Sequence, residues 1–247
     1  MTAGKRAALI CAVIAVVAIG TELAYLHHER NKPMNLPQPA ERGPTNPDYL
    51  VFLQQKRQHS PADVKELIGQ TLWVSAASQV DYYPSNGRHA EYNKRAGTLL
   101  GAEPIVVKGV FEQVAPKGLP LRIARGDAQE LLAFTMPKSA DPSTLYAVPV
   151  GDREGHDYSF KIDDIFFYDD PHVLYKHWGP KVWQTIDAHQ VAIGMSERQV
   201  QLSLGQVAQS LSQDVGNRRV VYSNLGHAIA VTFVKDHVTS FRRDQGY

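Results

Sequence analysis

Apolar positions change rhythm three times along the chain: first an unbroken run, then a strand-like alternation, and last a helical period that returns to alternation. The unbroken run spans Ala7 to Leu26 behind Lys5 and Arg6, with Glu22 as its one carboxylate. About 20 such residues cross ~30 Å of hydrocarbon, so the pattern predicts a transmembrane helix within residues 1–30. Glu22 and Tyr25 then fall at the far headgroup zone, where a carboxylate and a tyrosine are tolerated. The competing expectation is a cleaved signal peptide, because Ala18-Ile19-Gly20 has small residues at cleavage spacing after a basic start and an apolar core. Cys11, the single cysteine, lies inside the run, leaving nothing downstream for an internal disulfide.

Residues 31–47 carry Pro33, Pro37, Pro39, Pro44 and Pro47 among polar neighbours, which predicts an extended polyproline-like linker. A helix is expected from Asp48 to about Gln58, with Tyr49, Leu50, Phe52 and Leu53 on its apolar side. A second opens at Ser60-Pro61, buries Val64, Leu67 and Ile68 and closes at Gly69. Strand-like alternation follows in Leu72 to Val74, Ile105 to Phe111, Leu119 to Ala124, Glu130 to Met136, Leu145 to Val150 and Tyr158 to Tyr168. Short strands in that number predict a small closed or half-closed β-barrel over 48–170, since closure removes exposed edges.

The segment 75–98 interrupts this rhythm with a turn-rich stretch bearing aromatic residues. Tyr82, Tyr83 and Tyr92 are the candidate partner contacts, because tyrosines on a loop offer large area at small entropic cost. The competing expectation folds that loop back onto the barrel.

From Asp170 the helical period returns, in Pro171 to Trp178 and in Lys181 to His189, with Gly179-Pro180 between them. Ser196 and Gln199 are spaced for a capping box, Met195 and Val200 for a hydrophobic staple, and Gly205 for the stop behind Leu204. Arg219 to Ser223, Ala228 to Val234 and His237 to Phe241 then read as an antiparallel meander. The chain as a whole is thus expected to be α+β: a transmembrane helix, a small β-barrel-like domain, and a two-helix plus three-stranded sheet domain over 171–247.

Composition adds little specialisation. The 43% hydrophobic and 21% charged content is ordinary for a globular chain, and a formal net charge of +1 with no basic stripe excludes nucleic acid as a partner.

The Gly194-Met195-Ser196 helix start, the Leu204-Gly205 stop, Val221-Tyr222 and the pair Ile229 to Val234 and Val238 to Phe241 resemble the SmpA/OmlA (BamE-like) domain family over roughly the last quarter of the chain. Members of that family are small outer-membrane lipoproteins that bind lipid headgroups and stabilise the machinery inserting β-barrel proteins. The resemblance therefore implies a periplasmic envelope domain with a protein or lipid partner. The chain departs from the family in lacking a lipidation cysteine and in carrying a preceding β-rich domain.

Reactive constellations are sparse. His156, His172 and His177 lie near Asp157, Asp163, Asp164, Asp169 and Asp170, but their spacing matches no metal-ligand motif, and Asp169-Asp170 reads as a helix cap. No Gly-x-Ser-x-Gly elbow, phosphate loop or dinucleotide fingerprint occurs, so no catalytic, cofactor or metal residue is assigned. Trp178 and Trp183 fit two sides of a turn packed between domains. The sequence thus predicts a non-catalytic envelope module, anchored in the inner membrane through residues 7–26 or released to the periplasm, and serving as a binding scaffold linked to envelope assembly. The alternative is an envelope hydrolase whose site assembles from distant residues. A groove without convergent ionisable groups favours the first, a pocket with histidine and carboxylate in contact the second.

Overall fold

A computed structural model describes residues 3–30, 46–119, 121–210 and 212–243, with side chains in the first helix described from Val17. The chain forms two compact units, Met1–Thr45 and Asn46–Tyr247. The first contains α1 (Ala3–Arg30), whose last turn carries His27, His28 and Arg30, the sign that suits a helix C-terminus.

Among the described residues no helix is long and apolar enough to cross a membrane. This corrects the expected transmembrane anchor and the single-pass inner-membrane placement. The described side chains of α1 include the charged Glu22, Glu29 and Arg30, which interrupt its apolar surface toward the C-terminal end. The linker 31–47 lies outside the described residues except for Asn46 and Pro47.

The second unit begins with a 3-10 turn, Pro47–Leu50, in which Asn46 Oδ1 accepts from the amide of Asp48 at 3.0 Å. The helix expected to continue to Gln58 is replaced by an irregular strap. Long-range bonds hold it: Asp163 accepts from the amides of Lys56 (3.2 Å) and Arg57 (2.9 Å), and Gln58 Nε2 donates to the Tyr168 hydroxyl at 2.7 Å. These contacts outbid a helix whose exposed face would have gained nothing. Next, α2 (Pro61–Lys65) starts where Ser60 and Asp63 form a reciprocal capping box.

Strands β1 (Thr71–Val74), β2 (Asp81–Pro84), β3 (Gly97–Thr98), β4 (Pro104–Gln113), β5 (Ala128–Thr135), β6 (Tyr146–Glu154) and β7 (Asp157–Phe160) are followed by α3 (Ile162–Ile165) and β8 (Phe166–Phe167). They build one antiparallel sheet in the order β3-β2-β6-β5-β4-β1-β8, with β7 on β6. β5 is central, and its buried residues reach both faces. Leu132 and Phe134 enter the main core with Ile105, Val107 and Val148, whereas Leu131 faces Tyr83, Ala90 and Ala147 on the other side. Each such fully buried side chain contributes roughly 1.5–3 kcal/mol.

Among the described residues the end strands β3 and β8 do not pair with each other, so full closure is corrected to a half-barrel. Both ends are two residues long, too short to close it. The run predicted as a strand from Tyr158 to Tyr168 is broken by α3, because Ile162 and Ile165 recur at helical spacing and are both buried. The strand expected over 119–124 is absent among its described residues. There the carbonyls of Ile123 and Ala124 accept from the Gln129 amide at 2.9 and 3.0 Å instead of from a neighbouring strand.

The remaining elements are α4 (Pro171–Leu174), a 3-10 turn (Lys176–Trp178), α5 (Pro180–Asp187), α6 (Glu197–Leu204), β9 (Ala208–Ser210), β10 (Arg219–Tyr222), β11 (Ile229–Val234) and β12 (His237–Arg243). The four strands form a separate antiparallel sheet, β12-β11-β10-β9. The two-helix plus three-stranded expectation is corrected accordingly: three α-helices precede four strands. β9 escapes the hydrophobic pattern because Ala208, Gln209 and Ser210 are all exposed, and only its ladder to Val220, Val221 and Tyr222 defines it.

The core under α5 and α6 joins Tyr175, Trp183, Met195, Val200, Tyr222 and Phe233, and also takes in Ala102 from the turn before β4 and Phe167 from β8. Close approach between the two regions depends on glycine. A Cβ at Gly101 would stand 1.9 Å from the Leu202 carbonyl oxygen, and one at Gly205 would stand 2.5 Å from Ser78 Cβ.

Candidate functional site

The helical stretch after Asp170 sets a row of planar side chains on edge. Asp170 caps α4 by accepting from the His172 amide at 2.9 Å, and Pro171 occupies the first helical position. The chain then tightens into the 3-10 turn, in which residues three apart eclipse one another. Tyr175 and Trp178 consequently stack, with ring centroids 4.4 Å apart and planes 21° apart. Gly179, at φ 79°, redirects the chain so that Trp183 on α5 stacks on Trp178 at 5.2 Å. His172 completes that end, 4.2 Å from Trp183.

Polar groups fix the row in place. His172 Nδ1 lies 2.7 Å from Asp170 and its Nε2 3.1 Å from Asp187. Trp183 Nε1 donates to the Tyr175 carbonyl at 3.2 Å. Asp48, from the strap, accepts from Trp178 Nε1 at 2.7 Å and lies 2.5 Å from His177 Nε2. At the other end the Arg198 guanidinium stands 4.9 Å over the Tyr175 ring and donates from Nη2 to its hydroxyl. Burial pushes the Tyr175 hydroxyl above its ordinary pKa, opposed by the charge of Arg198 and reinforced by that of Asp48.

Beside this end of the row opens a cleft of about 330 Å³. Leu53, Phe167 and Leu202 supply apolar wall, and Tyr175 and Trp178 present ring surface. Ser75, Gln201 and Gln206 add neutral polar groups, and among the described residues Arg198 is the only charged one in the lining. Gln206 is committed within the protein, its Nε2 donating to the Ser75 carbonyl at 2.9 Å and its Oε1 accepting from Gln79. A second cavity of about 300 Å³ shares Gln201 and Gln206 and runs on between α6 and the β9–β10 face, past Glu197 and Arg218.

The tyrosines of the 75–98 segment lie elsewhere. Tyr83 and Tyr92 are buried, their rings 4.9 Å apart, and Tyr92 donates to Gln129 at 2.7 Å. Burial pushes the Tyr92 hydroxyl up. Tyr82 is half-buried, edge-on to Phe134 and Tyr146. The segment folds back as β2 and β3 instead of standing out as a loop.

The histidine and aspartate cluster is likewise dispersed. Asp163 serves the strap and accepts from Tyr168 at 2.5 Å, while His172 and His177 bond to different carboxylates. Among the described residues no group of three or more His, Cys, Asp or Glu is placed to hold a metal ion.

One pair of carboxyls does converge. Glu112 on β4 and Glu130 on β5 are cross-strand partners. Burial first, then the hydrogen bond and charge of Glu112, push Glu130 up to about 7, and its Oε1 has no partner. Burial opposes ionisation of Glu112, but the Tyr158 hydroxyl (2.9 Å), Arg153 (3.1 Å) and the Glu130 proton hold it below the ordinary range. Glu130 is 1% exposed and lines neither cavity described above.

Sequence pattern assigns Asp48 and Leu53 to an expected helix only, and marks neither them nor Arg198 and Gln201 as site residues. The one available signal was Arg198 itself, a cation in the first turn of a capped helix, where the helix dipole favours acids. No family model, curated protein or solved structure matches the chain, and the cleft is therefore judged on its geometry alone.

Proposed function

We propose that this protein is a non-catalytic binding module that holds its ligand in the cleft beside the Tyr175–Trp178 stack. The observation carrying this reading is the lining: aromatic, aliphatic and amide surface around a single guanidinium, with no acid and base converging on a common point. Pre-stacked rings and committed amides give a wall that costs little to order when a ligand arrives. Of the cross-strand carboxyl pair, Glu130 is buried and Glu112 is exposed, and neither lines that wall. The likeness of the α6 start and stop to the SmpA/OmlA family fits a small interaction domain, although fold alone carries no role.

The test is a small-molecule screen on the full chain, read by thermal shift and by tryptophan fluorescence, with Gln201→Trp as the blocked variant. Compounds that stabilise the wild type should lose that effect in the variant and be recovered chemically unchanged. Conversion of such a compound to product would replace the binding reading with an enzymatic one.

A further inference from the structure

We infer that the cleft selects a small carboxylate with a compact apolar body, gripped by Arg198. This rests on the binding reading above and adds the chemistry of the ligand.

Four observations meet at this guanidinium. First, it is exposed and, among the described residues, makes no ion pair, whereas Arg153 reaches Glu112 and Arg218 reaches Glu197. Glu197, its neighbour in sequence, turns away to Arg218. Asp48, behind Trp178, spends its Oδ1 on that indole and on His177.

Second, its plane is held in advance. Tyr175 takes one N–H and one face, and the stack behind runs through Trp178 and Trp183 to His172, itself set between Asp170 and Asp187. A guanidinium has five N–H donors in a rigid fork, so most of them stay available to an acceptor.

Third, Arg198 sits in the first turn of α6, where backbone amides already carry positive potential. A local rule broken without an internal counter-ion is a mark of a functional position, and a bound anion removes the conflict.

Fourth, the cleft lining has no carboxylate to repel an anion, and Leu53, Phe167 and Leu202 offer a dry wall next to the charge. The volume of about 330 Å³ is at the small end for ligand sites. One fork matches and neutralises a planar carboxylate, whereas a phosphate dianion on the same fork keeps a net negative charge that no second cation of the lining offsets.

Two sources present this chemistry: a free aryl or branched carboxylic acid, and the C-terminal residue of a peptide. Titration of the full chain, followed by tryptophan fluorescence and calorimetry, uses phenylacetate against phenylacetamide, and a pentapeptide ending in phenylalanine against its C-terminal amide. At least one acid should bind about tenfold or more tighter than its neutral partner, the scale of a charge-assisted fork. Arg198→Gln should bring acid and amide to within about twofold, and Arg198→Lys, which keeps the charge and loses the fork, should fall between. Which acid wins identifies the source. Circular dichroism of both variants should match the wild type; if Arg198→Gln does not fold, the Lys variant and the acid-to-amide ratio in the wild type decide. Equal binding of acid and amide would overturn the carboxylate inference and leave the cleft a binding site. Acid preference that survives in Arg198→Gln, or no binding of either acid at millimolar concentration, would overturn it as well.

Discussion

Glu130 in the larger sheet and Glu197 at the start of α6 are the same side chain at nearly the same burial, 1% and 5% exposed, and the two regions accommodate them in opposite ways. Glu197 is met by Arg218, whose Nε lies 3.2 Å from Oε2, with Gln201 Nε2 at 3.3 Å from Oε1. Glu130 has no cation in bonding contact. It shares a proton with Glu112, and the available cation, Arg153, goes to Glu112. The α-helical region thus pairs its buried charge, while the sheet neutralises its own.

The largest effect should come from breaking the pair. Arg218→Met leaves the Glu197 carboxylate buried with one amide donor, and stability should drop by about 3–5 kcal/mol in urea denaturation. Adding Glu197→Gln should restore part of the loss. A double variant no more stable than the single one would show that Arg218 acts through packing instead.

Next in size is the pH response of the sheet. The unfolded chain gives up the Glu130 proton near 4.5, the folded one near 7. The stability it provides is complete below the first value and is lost as pH rises through the second. On the order of 3 kcal/mol should disappear over that window. Glu130→Gln cannot ionise, so the gap between variant and wild type should widen from pH 4.5 to 7 and then level off. Parallel denaturation midpoints across that range would dismiss proton sharing.

The smallest effect sharpens the α6 side. Ser196→Ala removes the acceptor for the Gln199 amide, 3.3 Å away, and half of the capping box. About 1 kcal/mol should be lost, with no dependence on pH between 5 and 8. An unchanged midpoint would mean that the staple of buried Met195 and Val200 holds the helix start without the cap.

Local chemistry was well written in the residues. Ser60-Pro61, Asp170-Pro171, Ser196 to Gln199 and Gly205 each specify a start or stop through one turn of chain, and the helices begin or end there. Most strand cores followed from alternation for the same reason. Closure of the sheet did not, because it depends on whether β3 and β8 are long enough to meet, a fact about pairing partners far apart in sequence. The strap over 51–59 carries a helical pattern, but its fate rests on Asp163, more than a hundred residues later. The cleft was illegible on the same grounds: Leu53, Phe167, Tyr175 and Arg198 share no motif and meet only through the fold. Trp178 and Trp183 were read as packing residues, which they are, but the row they form also braces the guanidinium.

The strap has a mechanical consequence. It enters the second unit at Asn46, places Asp48 against Trp178 and His177 within two residues, and is not riveted again until Lys56 and Arg57 meet Asp163. Tension applied ahead of Asn46 is therefore delivered first to the Asp48 clasp and to Leu53. The wall of the cleft would thus feel a pull on the leading end of this unit before the Asp163 anchor beneath the large sheet does.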